Sequence, residues 1–180
     1  MGHPLKPISK AGIPEAIAKA EHYRNLNEPE ETESICRDIL AADPEHQLAR
    51  RLLGLAMTDQ FIGAASDRYA EVLSIFQALR DPYEQLYYTG LLHERRAKTQ
   101  LLVGYAAHTL RPLVEEAMRC FAEAEKIRPA GNDDSILRWN RCVRLLESRP
   151  DFHFDRGPAA LESEDLPPVN SSIRRASGNH

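Results

Sequence analysis

The chain has 180 residues, 42% of them apolar and 28% charged, with a net charge of −4. That is enough apolar material for one ordinary domain, and the acidic balance excludes global attraction to nucleic acid or to an anionic membrane. No run of about 18 apolar residues occurs, so no membrane span is expected. The opening Met1-Gly2-His3-Pro4-Leu5-Lys6-Pro7 also lacks the apolar stretch of a secretory signal. Cys36, Cys120 and Cys142 are far apart, odd in number and form no CxxC pair. Together these features predict reduced thiols and a cytoplasmic protein.

In chain order, residues 1–12 read as a flexible N-terminus. Pro14-Glu15 opens a first helix over 14–26, and Pro29-Glu30-Glu31 opens a second over 29–43. In both, proline occupies the first turn, where its missing N–H is harmless, and carboxylates face the positive end of the helix dipole. Asp43-Pro44-Glu45 predicts a third start, over 45–60. A fourth helix, 67–80, carries Tyr69, Val72, Leu73, Phe76 and Leu79 on one face, at spacings near 3.6 residues. Asp81-Pro82-Tyr83-Glu84 then offers an N-cap carboxylate, a first-turn proline and a Glu at the third position, predicting a long helix over 82–108. Pro112 is expected to begin the next, 112–128, with Val114, Met118, Phe121, Ala122 and Ile127 inward. The last, 133–148, presents Ile136, Trp139, Val143 and Leu146, with Trp139 as its core anchor. No alternating β-branched run appears, so the fold class is all-α. From 149 to 180, four prolines, serines and mixed charge with few large apolar side chains predict a disordered tail.

Helices paired in this way prompt a search for a repeat. Ala117, Phe121, Ala124 and Pro129 follow the spacing A-x3-F-x2-A-x4-P, and Thr32, Cys36, Ile39 and Pro44 follow it again. The first helices carry a matching large-x2-L-G-x2-large pattern. It falls on Ala16, Lys19, Ala20 and Tyr23; on Arg50, Leu53, Gly54 and Met57; on Leu86, Thr89, Gly90 and His93; and on Trp139, Cys142, Val143 and Leu146. The order and spacing resemble the tetratricopeptide repeat (TPR) family, with about three degenerate repeats and a capping helix across 13–148. Lys19 and Arg50 depart from the apolar pattern, and about 15 extra residues lie between Gly90 and Ala117.

The resemblance implies a right-handed α-α superhelix of seven helices, a TPR-like solenoid. It also implies a non-enzymatic scaffold or adaptor that binds a protein or peptide segment in a concave groove. Carried over residue by residue, the groove positions are Arg24, Asn25, Arg51, Leu55, Asp59, Tyr87, Leu91, Glu94, Arg95, Asn140 and Arg144. The arginines would meet carboxylates, and Tyr87 would stack. The Lys and Asn that grip a C-terminal carboxylate in some relatives are absent; Ile17, and Arg51 or Leu52, stand near those places. A specialised chaperone or assembly adaptor resembling bacterial secretion chaperones is the alternative reading. An enzyme is not favoured. There is no GxxxxGK[ST], GxGxxG, GxSxG or HExxH, the seven histidines do not fall at ligand spacing, and no catalytic, metal or cofactor site is expected. The three cysteines read as buried small hydrophobes.

Overall fold

The computed structural model describes residues 2–61 and 68–153. Among them are seven helices: α1 (Ile13–Asn25), α2 (Pro29–Ala42), α3 (Gln47–Asp59), α4 (Tyr69–Gln77), α5 (Pro82–Leu102), α6 (Ala107–Lys126) and α7 (Asp134–Glu147). Single 3-10 turns at Lys10–Gly12 and Pro150–Phe152 flank them, and no described residue is in a strand. The chain is all-α, as expected. No helix among the described residues is long and apolar enough to cross a membrane.

Each helix packs on the next, and α1 also touches α3, α3 touches α5, and α5 touches α7. The even helices bury one stripe each. Thr32, Cys36 and Ile39 on α2, Val72 and Phe76 on α4, and Ala117, Phe121 and Ala124 on α6 are all fully buried. Two glycines let the odd helices come close to these stripes. A Cβ on Gly54 would stand 2.7 Å from Phe76 Cζ and closer still to Cε1. One on Gly90 would stand 2.8 Å from Phe121 Cε1 and 3.0 Å from Cys120 Cβ. Two apolar clusters result, one over α1 to α5 and one over α5 to α7. Aromatic rings join them. Phe76 stacks on Tyr88 at 5.4 Å, Tyr88 meets Tyr87 edge-on at 5.0 Å, and Tyr87 lies 6.0 Å from Phe121.

Several predicted boundaries shift, each for a physical reason. Asp81 does cap α5, accepting from Tyr83 N–H at 2.8 Å. Asp43 instead ends α2, and the cap of α3 is His46, whose Nδ1 accepts from Ala49 N–H at 3.1 Å. Pro112 lies inside α6 rather than at its start. Gly104, at φ 93°, ends α5 early and turns the chain. Ala107, Leu110, Val114, Ala117, Phe121 and Ala124 then form one continuous buried stripe through the proline. The packing of that stripe outweighs the one hydrogen bond Pro112 cannot donate. The extra length of the third pair is therefore shared between α5 and α6 instead of extending α5 to 108.

The expected tail also starts too early. Phe152 is 1% exposed in the α6–α7 cluster, and Arg111 Nη1 lies 2.8 Å from His153 Nδ1. Within α7 the buried residues are Ser135, Cys142 and Leu145, while Ile136, Trp139, Val143 and Leu146 are only half-buried. Among the described residues α7 packs on α6, α5 and the Pro150–Phe152 turn, and Trp139 lies at the margin of the second cluster rather than anchoring its interior. At the other end, the expected flexible segment 1–12 includes the Lys10–Gly12 turn, with Ile8 packed against the first cluster.

Arg50, which breaks the apolar pattern, extends its guanidinium to the carbonyls of Pro44 at 2.6 Å and Ala78 at 2.7 Å. Glu33 on α2 collects Arg68, Arg37 and Gln60. Burial alone would raise its carboxyl, but these hydrogen bonds outweigh burial and hold it near 2. A carboxylate whose folded value lies below its unfolded value stabilises the fold above about pH 4.5 and loses that contribution as pH falls toward 2. Glu33→Gln is therefore expected to cost about 1–2 kcal/mol at pH 7, the full linkage value being reduced by solvent at the rim of the cluster. Urea midpoints of the two proteins should converge as pH drops from 5 to 2.5; a pH-independent gap would contradict the linkage.

Candidate functional site

The groove positions carried over from the resemblance lie on the odd helices, and several of them are engaged in ion pairs between or within those helices. Arg24 Nε on α1 donates to Asp59 Oδ2 on α3 at 2.8 Å, and Arg95 on α5 pairs closely with Asp59 Oδ1. One carboxylate thus joins three helices. Arg95 also donates to the Thr58 hydroxyl at 2.5 Å. Burial pulls the Arg95 guanidinium below its usual range, while Asp59 opposes that. Arg51 Nη1 donates to Glu84 Oε1 at 2.5 Å, linking α3 to α5 a second time. Glu94, 1% exposed, pairs closely with Lys98 and accepts from Arg138 of α7 at 3.5 Å. Burying this carboxylate is tolerable because two cations meet it.

The remaining positions divide by burial. Leu55 and Leu91 are buried in the first cluster, so they support the face from beneath. Tyr87, expected to stack on a partner, instead stacks on Tyr83 at 5.8 Å and belongs to the aromatic bridge. Asn140 is half-buried; Asn25 and Arg144 are exposed. Ile17 and Leu52, near the places of the missing carboxylate grip, are buried in the core. The stripe Arg138, Arg141 and Arg144 does not act as one unit: Arg138 turns inward to Glu94, while Arg141 and Arg144 remain exposed.

The three cysteines are buried and unpaired by disulfides. Burial pushes the Cys36 and Cys142 thiols up to about 12 and raises Cys120 as well, so none is poised as a nucleophile.

The sequence pattern missed one cluster. His93 of α5 meets Glu116 and Cys120 of α6, with one ligand atom from each lying within 4.8 Å of the others. Tyr69 Oη of α4 lies 2.9 Å from His93 Nδ1, and the Arg96 guanidinium sits 4.2 Å over the Tyr69 ring. Burial lowers the His93 imidazole, with Glu116 opposing the shift and Arg96 and Arg119 reinforcing it. The available signal was Glu116-x3-Cys120, which puts both residues on one face of a helix, but its partner is 23 residues upstream.

No protein-family model, no curated protein and no solved structure matches the chain.

Proposed function

We propose that the chain is a TPR-like helical-repeat protein, a right-handed α-α superhelix that binds a segment of a partner protein along its odd helices and has no catalytic role. The observation that carries this reading is the spacing of its long-range ion pairs. Arg51–Glu84, Arg37–Glu71, Arg24–Asp59 and Asp59–Arg95 join residues 33, 34, 35 and 36 positions apart. Glu33–Arg68 and Glu45–Arg80 each span 35. Pairs at one separation of about 34 residues are what a two-helix repeat of that length produces when each unit stacks on the next. The Gly54–Phe76 and Gly90–Phe121 contacts support the same reading, because they place one glycine–phenylalanine packing pair in successive units.

The face itself suits a mixed, extended segment better than a strongly charged one. Its carboxylates and guanidiniums already neutralise each other across helices, so they supply oriented hydrogen-bonding groups rather than net charge. Cross-helix pairing also restrains the side chains before any partner arrives, which lowers the entropic cost of binding.

Peptides selected from a random library against the full chain are expected to bind, as measured by fluorescence anisotropy. Combined Arg51→Ala, Asn140→Ala and Arg144→Ala changes should weaken that binding by roughly tenfold or more, with circular dichroism confirming the fold. Lys126→Ala, on exposed α6 surface, should leave it unchanged. Failure to enrich any peptide, or binding indifferent to the triple change, would contradict the reading.

A further inference from the structure

We propose that His93, Glu116 and Cys120 form a binding site for a zinc-like divalent transition-metal ion between α5 and α6. Their ligand atoms already lie within 4.8 Å of one another. A tetrahedral ion with bonds of about 2.0–2.3 Å needs its ligands roughly 3.3–3.8 Å apart, so the site must tighten by about 1 Å, within the reach of side-chain torsions. An imidazole, a thiol and a carboxylate form a borderline-soft donor set, which suits zinc or cobalt and not magnesium or calcium. With three protein ligands, the fourth position is open to water or a small exogenous ligand.

The surrounding structure serves such a site in three ways. Gly90, one turn before His93, holds α5 so close to α6 that an added Cβ would stand 3.0 Å from Cys120 Cβ. That approach is what brings the imidazole to the thiol. Glu116 and Cys120 are one turn apart on the same face of α6, which fixes their spacing. The Tyr69 hydroxyl, 2.9 Å from His93 Nδ1, orients the ring as outer partners of metal-bound histidines do, and assigns metal binding to Nε2.

Arg119 occupies the place of the missing charge. Its guanidinium donates to both Glu116 oxygens at 2.6 and 2.9 Å, and Nη2 lies 3.9 Å from Cys120 Sγ. Its side chain is 59% exposed. It can therefore swing into water when a metal ion takes over the carboxylate, while the Cys120 proton passes to the solvent. Arg96, stacked on Tyr69, stays as a second cation near the site and sets the affinity below that of an all-anionic cage.

Titrating the chelator-treated full chain with Co2+ alone tests the proposal by absorption spectroscopy. The expected result is a saturable thiolate-to-cobalt charge-transfer band with visible bands of four-coordinate cobalt, both removed by added Zn2+. Cys120→Ser should abolish the charge-transfer band, and His93→Ala should weaken binding by at least roughly tenfold. Arg119→Ala should keep the bands and tighten binding, a result that adventitious surface binding would not give. If His93→Ala unfolds the chain, Cys120→Ser and Arg119→Ala still decide. Absence of a thiolate band, a band that survives Cys120→Ser, or binding that Arg119→Ala weakens would overturn the site.

Discussion

Phe121→Ala is expected to destabilise the protein by about 3–5 kcal/mol, the usual cost of emptying a fully buried phenylalanine site. For a domain of this size that lowers Tm by roughly 10 °C or more. Phe121 is completely buried, belongs to the α6 stripe, touches the aromatic bridge through Tyr87 and fills the space that Gly90 leaves open. The surrounding helices cannot collapse into the cavity without moving α5 against α6. The reciprocal change reads the same contact from the other side. Gly90→Ala would gain about 1 kcal/mol of helix propensity on an exposed helix, yet here its methyl group meets the Phe121 ring and Cys120 at 3.0 Å or less. Overpacking of this kind costs about 1–3 kcal/mol, so a net loss is expected. Chemical denaturation of the two variants checks both signs. A stabilised Gly90→Ala protein would mean that the helices are not held this close.

Phe152→Ala is the second large effect, again about 3–5 kcal/mol. Composition places Phe152 in a proline-rich, serine-rich segment that reads as a tail, but the ring is 1% exposed among Leu110, Val114 and Leu145. It seats the Pro150–Phe152 turn against both α6 and α7. Asp151→Ala, one residue away and exposed, is expected to change Tm by little. A Phe152→Ala protein that melts like the wild type would show that the chain is not fastened there in solution.

Local chemistry was legible in the sequence wherever a single helix decided the outcome. Asp81-Pro82 announced the start of α5, the 3.6-residue stripe marked Val72, Phe76 and Leu79 as buried, and the apolar neighbours of the cysteines foretold their burial; on α6 the expected stripe holds only at Val114 and Phe121, Met118 and Ala122 being half-buried and Ile127 exposed at the helix end. Features that depend on two or more helices were not legible. Pro112 looked like a helix start, because proline's local preference is visible and the packing of Ala107 and Leu110 is not. Phe152 was hidden for the same reason: a lone aromatic in a polar segment has no period to reveal it. The groove positions read one at a time as sites for a partner, whereas Arg24 and Arg95 engage Asp59, and Arg51 engages Glu84. A search for opposite charges about 34 residues apart would have exposed that pairing. The cluster of His93, Glu116 and Cys120 depends on the close approach of α5 to α6 at Gly90, which no motif spacing encodes.

Hydrogen–deuterium exchange of the full chain, with and without a selected peptide, tests the central claim most directly. If partner binding uses the odd-helix face, added protection will concentrate in α1, α3, α5 and α7, around Arg51, Asn140 and Arg144. Protection confined to α2, α4 and α6, or spread evenly over all helices, would contradict it.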